Sequence, residues 1–385
     1  MGDENSPPVL SALILAAGCS TRMGQFKPLM PIAGTTVVAQ VAAMFRAAGI
    51  ERIAVVTGHC AEQIEPVVRR IGATVVRNPD YQQGMYSSIQ AAIRAEAAFS
   101  PRVDACFLMP VDIPLVRPQS VTALTRSFAI RRAPITYPCF NGRRGHPPLV
   151  SNALFAEILA GKGESGLREL LRKHQPESAD VDVLDEGVLL DMDTPEDYAQ
   201  LVGLAERRHL PTPAECEAIL STRPIAEPLR RHGRSVATVA RTIATRLSER
   251  GIRLDRHLVI AASLLHDIAK GEPGHLEVGA SIVASLGYPA VADIIRQHIA
   301  MDFDGTTPNE AAIVFLADKL VCMDRRVTLE ERYKPSFERF RDQPAALQGA
   351  QRRYELACEI YRVVERKARA PMSTILADCG VPPAA

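Results

Sequence analysis

The sequence has almost no net charge, no long hydrophobic run and no closely spaced cysteine pair. Its 45 Lys and Arg residues balance 44 Asp and Glu residues, so a general electrostatic grip on nucleic acid is not expected and phosphate recognition has to be local. No apolar stretch approaches the roughly 20 residues that cross a bilayer, so no membrane partner is expected. The eight cysteines form no CxxC pair, which favours a cytoplasmic location over a disulfide framework.

The 385 residues, 47% of them hydrophobic, are enough for two globular domains. In the first half, short β-rich runs alternate with amphipathic helical stretches. The strand candidates are 12–17, 52–57, 74–77 and 105–109, and the helix candidates are 37–48, 61–71 and 87–98. Strands separated by helices of this length predict βαβ units, and therefore an α/β domain with a mostly parallel sheet.

Beyond a break at Pro211-Thr212-Pro213, β-type runs nearly vanish. Helical stripes with apolar residues at i, i+3, i+4 and i+7 predict an all-α domain. These helix candidates are 236–247, 259–269, 276–286, 290–298, 311–323 and 351–367. The predicted organisation is a domain at 10–205, a linker at 206–224, a second domain at 225–340 and a helical C-terminal tail at 341–385.

The first candidate site is the loop that follows the first predicted strand. Gly18 opens this glycine-bearing loop, Arg22 lies within it, and Lys27 follows closely. Backbone N–H groups and two cations can surround a polyphosphate there, although a glycine loop alone also fits a tight turn with solvated cations. Ligands of such sheets bind beyond the carboxyl ends of the strands, where Asp112 also emerges. The sequence therefore predicts nucleotide chemistry at this edge.

Five further motifs follow this loop in a fixed order. They are Asn78-Pro79 with 84–88, then 108–114, 142–148, 163–168 and 191–198. Over about residues 10–200, this series resembles the molybdenum cofactor cytidylyltransferases of the GT-A-like nucleotidyltransferase superfamily. The resemblance implies a Rossmann-like GT-A fold and transfer of a cytidylyl group from CTP to molybdenum cofactor (molybdopterin), with release of pyrophosphate.

The resemblance also implies roles for individual residues. Arg22, Lys27 and Asp112 would be catalytic, and Asp112 with Asp193 would bind Mg²⁺, which prefers carboxylate and phosphate oxygens. Asp193 also fits a helix N-cap before Thr194-Pro195. The implied nucleotide-binding residues are Ala16, Ala17, Gly18, Arg22, Lys27, Gly84 and Ser87. The implied substrate-binding residues are Gly145, His146 and Pro147, with His146 a substrate contact in preference to a catalytic base.

Two positions bear on the choice of substrates. Ala17-Gly18 stands where relatives that use GTP have two glycines, so the Ala17 methyl favours the smaller pyrimidine by a modest ~1–3 kcal/mol. Pro110–Pro114 keeps the aspartate but differs from the Ala-Asp-Gln-Pro or Ala-Asp-Met-Pro usual in that family. This difference leaves the exact acceptor open.

The second candidate site is a set of histidines and aspartates in the helical half. His266-Asp267 interrupts an apolar helical stretch, and burying such a pair is costly unless it coordinates or hydrogen-bonds something. The other members are His232 upstream and His275, His298 and Asp318 downstream. These separations suit a metal cluster on a helical scaffold.

Over about residues 225–335, the H…HD…D order resembles the HD-domain phosphohydrolases. His275 and His298 make it similar to the two-metal versions, and Gly274–Ala280 resembles a helix start of HD-type dinucleoside polyphosphate hydrolases. The implied ligands are His232, His266, Asp267, His275, His298 and Asp318, for one or two ions of Fe, Mn, Zn or Mg. As alternatives, His275 and His298 would contact phosphate. Lys270 would be a catalytic phosphate contact or a solvated charge. Arg325 and Arg326 with Arg332 could face the leaving group, but a charged, solvated face is the favoured expectation.

The resulting hypothesis is a bifunctional enzyme that joins the cytidylyl transfer to metal-dependent hydrolysis of a phosphorylated compound. Its partners would be CTP and molybdenum cofactor, with a recipient molybdoenzyme as a further candidate. One alternative is a nucleotidyltransferase for another phosphorylated acceptor, such as a sugar phosphate or an isoprenoid alcohol phosphate. Another is a molybdenum cofactor-binding chaperone whose HD domain is non-catalytic and serves dimerisation or sensing.

Overall fold

The computed structural model describes residues 7–19, 23–98, 102–161 and 164–384, with the backbone alone for 164–168. The chain divides into two compact units, Met1–Arg207 and Arg208–Ala385. Among the described residues, no helix is both long and apolar enough to cross a membrane.

The first unit is built on a large, mostly parallel sheet. Its strands are β1 (Leu10–Leu15), β2 (Pro31–Ile32), β3 (Thr35–Thr36), β4 (Arg52–Thr57), β5 (Thr74–Arg77), β6 (Ala105–Pro110), β7 (Ile135–Phe140), β8 (Arg143–Arg144), β9 (Leu149–Ser151) and β10 (Ala179–Asp182). The sheet order is β10-β7-β9-β6-β1-β4-β5, with β8 beside β7 and a separate β2–β3 hairpin. β1 lies parallel to β4 and β6, whereas β9 runs antiparallel to β6 and β7. The predicted α/β architecture is confirmed.

Helices cover both faces of this sheet. They are α1 (Val37–Ala47), α2 (Ala61–Arg70), α3 (Met85–Ala97), α4 (Pro118–Arg131), α5 (Phe155–Ala160), α6 (Glu164–Lys173) and α7 (Pro195–Ala205). All six residues of β1 are buried, as expected of a central strand covered on both faces. Leu13 and Leu15 pack with Ile89 and other residues of α3 on one face. On the other face, Phe45 of α1 packs on Phe107 of β6, with ring centroids 5.5 Å apart.

The second unit is a helical bundle, which confirms the predicted all-α region. Its helices are α8 (Pro213–Ser221), α9 (Glu227–Ser248), α10 (Arg256–Leu265), α11 (His275–Ser285), α12 (Pro289–Gln297), α13 (Glu310–Lys319), α14 (Leu329–Arg339), α15 (Pro344–Ala368) and α16 (Met372–Ile375). A short antiparallel hairpin, β11 (Val321–Cys322) and β12 (Arg325–Arg326), follows α13. Nine of the ten residues of α13 are buried, so this helix forms the centre of the bundle between α9, α10, α12 and α15.

Two segments expected to lie outside the helical domain pack into this bundle. Helix α8 lies within the expected linker, where Thr212 and Glu215 form a capping box and Cys216 and Ile219 are buried against α10. Helix α15, in the expected tail, packs against α9 and α13. Both helices have apolar residues that need a partner, and the bundle supplies it.

Two predicted helix C-termini at the second site are wrong by four residues each, and α9 and α15 also begin earlier than predicted, at Glu227 and Pro344. Helix α10 ends at Leu265 and not at Ala269, because the chain continues in tight turns with Ile268 N bonded to Leu265 O at 3.0 Å. Helix α13 ends at Lys319 and not at Met323, because the β11–β12 hairpin follows. His266-Asp267 therefore lies in a turn just after α10, and Asp318 lies in the last turn of α13.

Candidate active sites

The predicted phosphate loop leaves the sheet at the carboxyl end of β1. Ala16 and Ala17 are 1% and 4% exposed, and only from Gly18 does the chain reach solvent. Ala16 N donates to Val56 O at 3.0 Å, and His59 N donates to Ala17 O at 3.1 Å. The side chains of Ala16 and Ala17 therefore belong to the core. Arg22 lies outside the described residues.

The Ala17 methyl packs against protein. A Cβ on Gly58 would lie 2.9 Å from Ala17 Cβ and 2.6 Å from Tyr81 Cβ, so the three residues are in close contact. The His59 ring lies between Phe26 and Tyr81, with centroids 6.0 and 6.2 Å away. The side chain of Ala17 is thus fixed by its contact with Gly58.

Lys27 links two of the predicted metal ligands. Its Nζ lies 3.1 Å from Asp112 Oδ2 and 2.8 Å from Asp193 Oδ1, while Lys27 itself is 8% exposed. Burial alone would lower the pKa of Lys27, but hydrogen bonds and charge interactions with Asp193 and Asp112 outweigh burial and raise that pKa. Thr194, and not Asp193, caps α7, because its hydroxyl accepts from Asp197 N at 3.2 Å. Asp193 is therefore turned towards Lys27 and Asp112.

A further carboxylate, Asp191, belongs to this cluster and was missed by the sequence reasoning. Desolvation and the charges of Asp193 and Asp112 raise the pKa of Asp191. Met192 between the two aspartates is fully buried, and its N–H donates to Asp112 O at 3.0 Å. An extended chain places alternate residues on the same side, so the Asp191-Met192-Asp193 pattern could have predicted that both aspartates face the same cluster.

The Gly145–Pro147 segment borders the same carboxylates. A Cβ on Gly145 would lie 2.4 Å from Val188 O, so this buried position requires glycine. Burial lowers the pKa of His146, although Asp112 and Asp191 lie close enough to oppose that change. The buried His146 Nδ1 has no hydrogen-bond partner among the described residues. The segment thus brings one imidazole to the acidic cluster, while Gly145 and Pro147 pack in the interior.

Gly84 and Ser87 stand at the start of α3. Gly84 has φ +94°, a backbone conformation that favours glycine, and it precedes a first turn without a side-chain cap. Ser87 Oγ accepts from Asn78 Nδ2 at 2.9 Å and lies 2.9 Å from both Asp80 O and Gly84 O. Ser87 therefore orders this turn through contacts within the protein.

In the second unit, the predicted ligands come together in a buried cluster. His232 Nε2 lies 3.1 Å from Asp318 Oδ1, and His266 Nε2 lies 3.7 Å from the same oxygen. On the other side, Asp267 Oδ2 lies 3.4 Å from His266 Nε2 and Asp267 Oδ1 lies 3.5 Å from His298 Nε2. The His298 ring centroid is 6.1 Å from that of His275.

The cluster contains two triads that could each hold a metal ion. His232, His266 and Asp267 offer ligand atoms within 4.8 Å of one another, and so do Asp267, His275 and His298. Asp267 is common to both triads, so its two oxygens could serve two ions. Asp318 flanks the first triad through His232 and His266.

The imidazoles are oriented by backbone carbonyls. His232 Nδ1 lies 3.0 Å from Met323 O, and the same nitrogens of His266 and His298 lie 2.7 Å from the carbonyls of residues 263 and 295. An Nδ1 that donates to its carbonyl leaves Nε2 as the nitrogen available for metal ligation. His266 Nε2 and His275 Nε2 are buried without a hydrogen-bond partner among the described residues. These donors fit divalent metal ions.

The electrostatics keep both aspartates ionised. Burial alone would raise the pKa of Asp267, but His266 and His298 hold it well below its usual value. Asp318 is held low in the same way, by Lys319 first and then by the histidines.

Three cations surround these carboxylates. Lys270 Nζ is 3.1 Å from both oxygens of Asp267, and its side chain is half exposed. The sequence reasoning missed Lys319, whose buried Nζ bonds to Asp318 Oδ2. Arg332, expected on a solvated face, instead lies with Nη2 4.0 Å from Asp318 Oδ1.

Comparison with known families agrees with this division. The family model described as a MobA-like NTP transferase domain matches residues 12–178, and the one described as an HD domain matches residues 229–323. The chain thus carries a MobA-like nucleotidyltransferase domain followed by an HD phosphohydrolase domain.

Three similar proteins each align with about half of the chain. The molybdenum cofactor cytidylyltransferase of Escherichia coli (strain K12) is 28% identical over 193 residues, which are 49% of this chain and 93% of the relative. The purine catabolism protein PucB of Bacillus subtilis (strain 168) is 28% identical over 201 residues, 50% of this chain and 95% of the relative. The solved structure of Rv0371c from Mycobacterium tuberculosis H37Rv is 26% identical, with a TM-score of 0.45 over 51% of this chain and 100% of that one.

Proposed function

We propose that the chain is a bifunctional enzyme whose first domain transfers the cytidylyl group of CTP to the phosphate of molybdenum cofactor. An oxygen of the acceptor phosphate would attack the α-phosphorus, and the bond to the β-phosphate would break with release of pyrophosphate. The observation that carries this proposal is the ion-paired cluster at the carboxyl edge of the sheet, in which the buried Lys27 bonds to the partly exposed Asp112 and Asp193. The acceptor and the base rest on the likeness to the Escherichia coli cytidylyltransferase.

In this proposal the carboxylates would bind the metal ion and the cationic side chains would bind the triphosphate. Asp112 and Asp193 would hold Mg²⁺, which supplies positive charge to the phosphate oxygens. Lys27 would then exchange its carboxylate partners for the triphosphate, and backbone N–H groups from Gly18 onward would approach the phosphates. Arg22 would add a second cation. His146 would meet the acceptor beside the carboxylates, because its ring lies in their field and its Nδ1 has no partner among the described residues.

The second domain would hydrolyse a phosphorylated compound. The six residues His232, His266, Asp267, His275, His298 and Asp318 would hold one or two divalent ions, which supply Lewis-acid charge to a phosphoryl group. Lys270 would contact the phosphate from its half-exposed position beside Asp267. The observation that carries this half is the pair of triads that share Asp267.

The transferase proposal is tested by supplying the protein with molybdenum cofactor, Mg²⁺ and either CTP or GTP. Formation of the cytidine dinucleotide and pyrophosphate is expected with CTP, whereas equal turnover with GTP would overturn the choice of base. Turnover with a sugar phosphate or an isoprenoid alcohol phosphate, and none with the cofactor, would move the acceptor to that class. Tight cofactor binding without turnover would instead indicate a chaperone.

The hydrolase proposal is tested in the full chain with Asp267→Asn, which keeps the size of the side chain. Phosphate release from p-nitrophenyl phosphate in the presence of Mn²⁺ is expected to be lost, while cytidylyl transfer is retained. A matched control is Asp324→Asn, which changes an exposed aspartate of the same unit that pairs with Arg231. Phosphatase activity that survives Asp267→Asn would contradict the proposal.

A further inference from the structure

Helix α14 brings two polar side chains to the edge of the histidine–aspartate cluster. The helix begins with a capping box of Thr328 and Glu331, which fixes its first turn. Arg332 follows at once, with Nη2 4.0 Å from Asp318 Oδ1. Tyr333 is next, and burial together with the Asp318 carboxylate raises the pKa of its hydroxyl. Arg332 therefore lies beside a residue of the metal cluster, and Tyr333, the next residue of the helix, lies within range of the Asp318 charge.

Each of these side chains carries a buried polar atom without a partner. Arg332 Nε and Tyr333 Oη make no hydrogen bond within the part of the chain that the structure describes, and Tyr333 is only 5% exposed. Buried donors are almost always satisfied in folded proteins, and leaving one unpaired costs about 1–3 kcal/mol. His266 Nε2 and His275 Nε2 in the same cluster are unpaired as well. The two imidazole nitrogens are suited to metal, whereas a guanidinium and a phenol are suited to a ligand that accepts hydrogen bonds.

The Tyr333 hydroxyl is held in place by its ring. That ring stacks on Phe337 with centroids 6.0 Å apart and meets the edge of Tyr354 at 5.4 Å. The ring therefore cannot turn to find another partner without breaking this packing. A hydroxyl that is fixed in this way is suited to donate a hydrogen bond to an oxygen atom of a bound ligand.

The charges around the cluster indicate the charge of the ligand that would bind there. Three cations, Lys270, Lys319 and Arg332, face the two carboxylates Asp267 and Asp318. Arg332 and the protonated Tyr333 are donors at this point, so they favour acceptor oxygens. Any divalent ion in the triads adds further positive charge. Such a site favours a dianionic terminal phosphate over the single charge of a phosphodiester.

We propose that α14 forms the substrate side of the phosphohydrolase site, where Arg332 and Tyr333 bind the oxygens of a terminal phosphate, and that the substrate is a phosphomonoester. This inference rests on the proposed hydrolase function. Arg332 supplies a planar fork for two phosphate oxygens, and Tyr333 donates to one oxygen. Neither residue is a metal ligand, so replacing either one removes no ligand atom.

The test measures binding of inorganic phosphate to the Mn²⁺-loaded full chain by calorimetry. The binding that Asp267→Asn abolishes is assigned to this site. Tyr333→Phe and Arg332→Ala are each expected to weaken that binding about tenfold or more, since a hydrogen bond to a charged group is removed. Arg332→Lys keeps the positive charge but loses the planar pair of guanidinium donors, and is expected to recover only part of the phosphate affinity. The wild type is expected to bind phosphate at least about tenfold more tightly than the singly charged diester diethyl phosphate.

Matched controls separate binding from folding. Tyr354→Phe alters a hydroxyl in the same aromatic group that bonds to Cys358, and Arg339→Ala removes an exposed arginine two turns further along α14. Neither control is expected to change the phosphate affinity. Tyr333→Phe is expected to leave the urea midpoint unchanged or higher and the Mn²⁺ content unchanged, because it removes an unpartnered buried hydroxyl.

Several outcomes would overturn the inference. Phosphate affinity that survives both Tyr333→Phe and Arg332→Ala, with wild-type hydrolysis intact, would refute the role of α14 and leave the hydrolase function standing. Diethyl phosphate bound as tightly as phosphate would refute the phosphomonoester class. A wild-type chain that takes up Mn²⁺ but neither binds phosphate nor hydrolyses p-nitrophenyl phosphate would refute both the inference and the hydrolase function.

Discussion

Replacing Lys27 with methionine tests whether the transferase cluster is arranged for a metal ion. Breaking a buried ion pair costs about 3–5 kcal/mol, whereas an exposed pair contributes about 0–1 kcal/mol. Lys27 is 8% exposed, but the side chains of Asp112 and Asp193 are 27% and 40% exposed. The expected loss of unfolding free energy without Mg²⁺ therefore lies between these limits, at about 1–2 kcal/mol.

Added Mg²⁺ is expected to reverse this loss. In the wild type, Mg²⁺ has to displace the Lys27 ammonium from Asp112 and Asp193, whereas in the variant both carboxylates are released. Mg²⁺ should bind the variant more tightly, and a ligand at 100 times its Kd stabilises by about 2.7 kcal/mol. Cytidylyl transfer is still expected to fall, because the triphosphate loses a cation.

The assay is urea unfolding of the first unit with and without Mg²⁺. The matched control is Lys173→Met, which breaks an ion pair with Glu157 whose side chains are 63% and 37% exposed, so less than about 1 kcal/mol should be lost. A Lys27→Met protein as stable as this control without Mg²⁺ would refute the electrostatic reasoning. Equal stabilisation of variant and wild type by Mg²⁺ would refute the competition between Lys27 and the metal.

The remaining predictions concern the metal triads, one close packing contact and one helix cap. His232→Ala and His275→Ala should each lose one of two bound Mn²⁺ ions in elemental analysis, because each belongs to a different triad; loss of both ions in either variant would contradict two separate positions. Gly145→Ala should destabilise the first unit by about 1–3 kcal/mol in urea, because its Cβ would lie 2.4 Å from Val188 O, and an unchanged midpoint would show that this contact relaxes freely. Thr194→Ala should cost about 1 kcal/mol through loss of the α7 capping box, with Thr194→Ser as the control that keeps the hydroxyl; equal midpoints for the two variants would argue against the cap.

Much of the fold could be predicted from local pattern. The strands 52–57 and 74–77 were predicted with the bounds that β4 and β5 have, because each is an apolar or β-branched run between helices. Helix α10 was predicted to end four residues too late, since the apolar periodicity continues to Ala269. The turn at His266-Asp267 could not be seen, because tight-turn bonds and metal-cluster packing decide it and periodicity does not.

The sites were predictable where a motif carried them. The histidines and aspartates of the second site, and Lys27 with Asp112 and Asp193, lie together as expected. Arg332 was assigned to solvent because a lone arginine on a helix gives no sign of its neighbours. Helix α14 packs on α15, and only this tertiary placement brings Arg332 to Asp318, 14 residues earlier in the chain.

The main-chain carbonyls that contact Nδ1 of His232, His266 and His298 limit which sequence changes the metal cluster can tolerate. Met323, the nearest of these partners to the surface, offers a carbonyl that any amino acid would offer equally. The side chain of Met323 is therefore not what aligns His232, although its φ of +57° limits which residues fit there without strain, and Ser263 and Ile295 are constrained by their complete burial. Gaining or losing a single residue in the β11–β12 hairpin would shift that oxygen, so loop length, more than residue identity, is what selection has to preserve there.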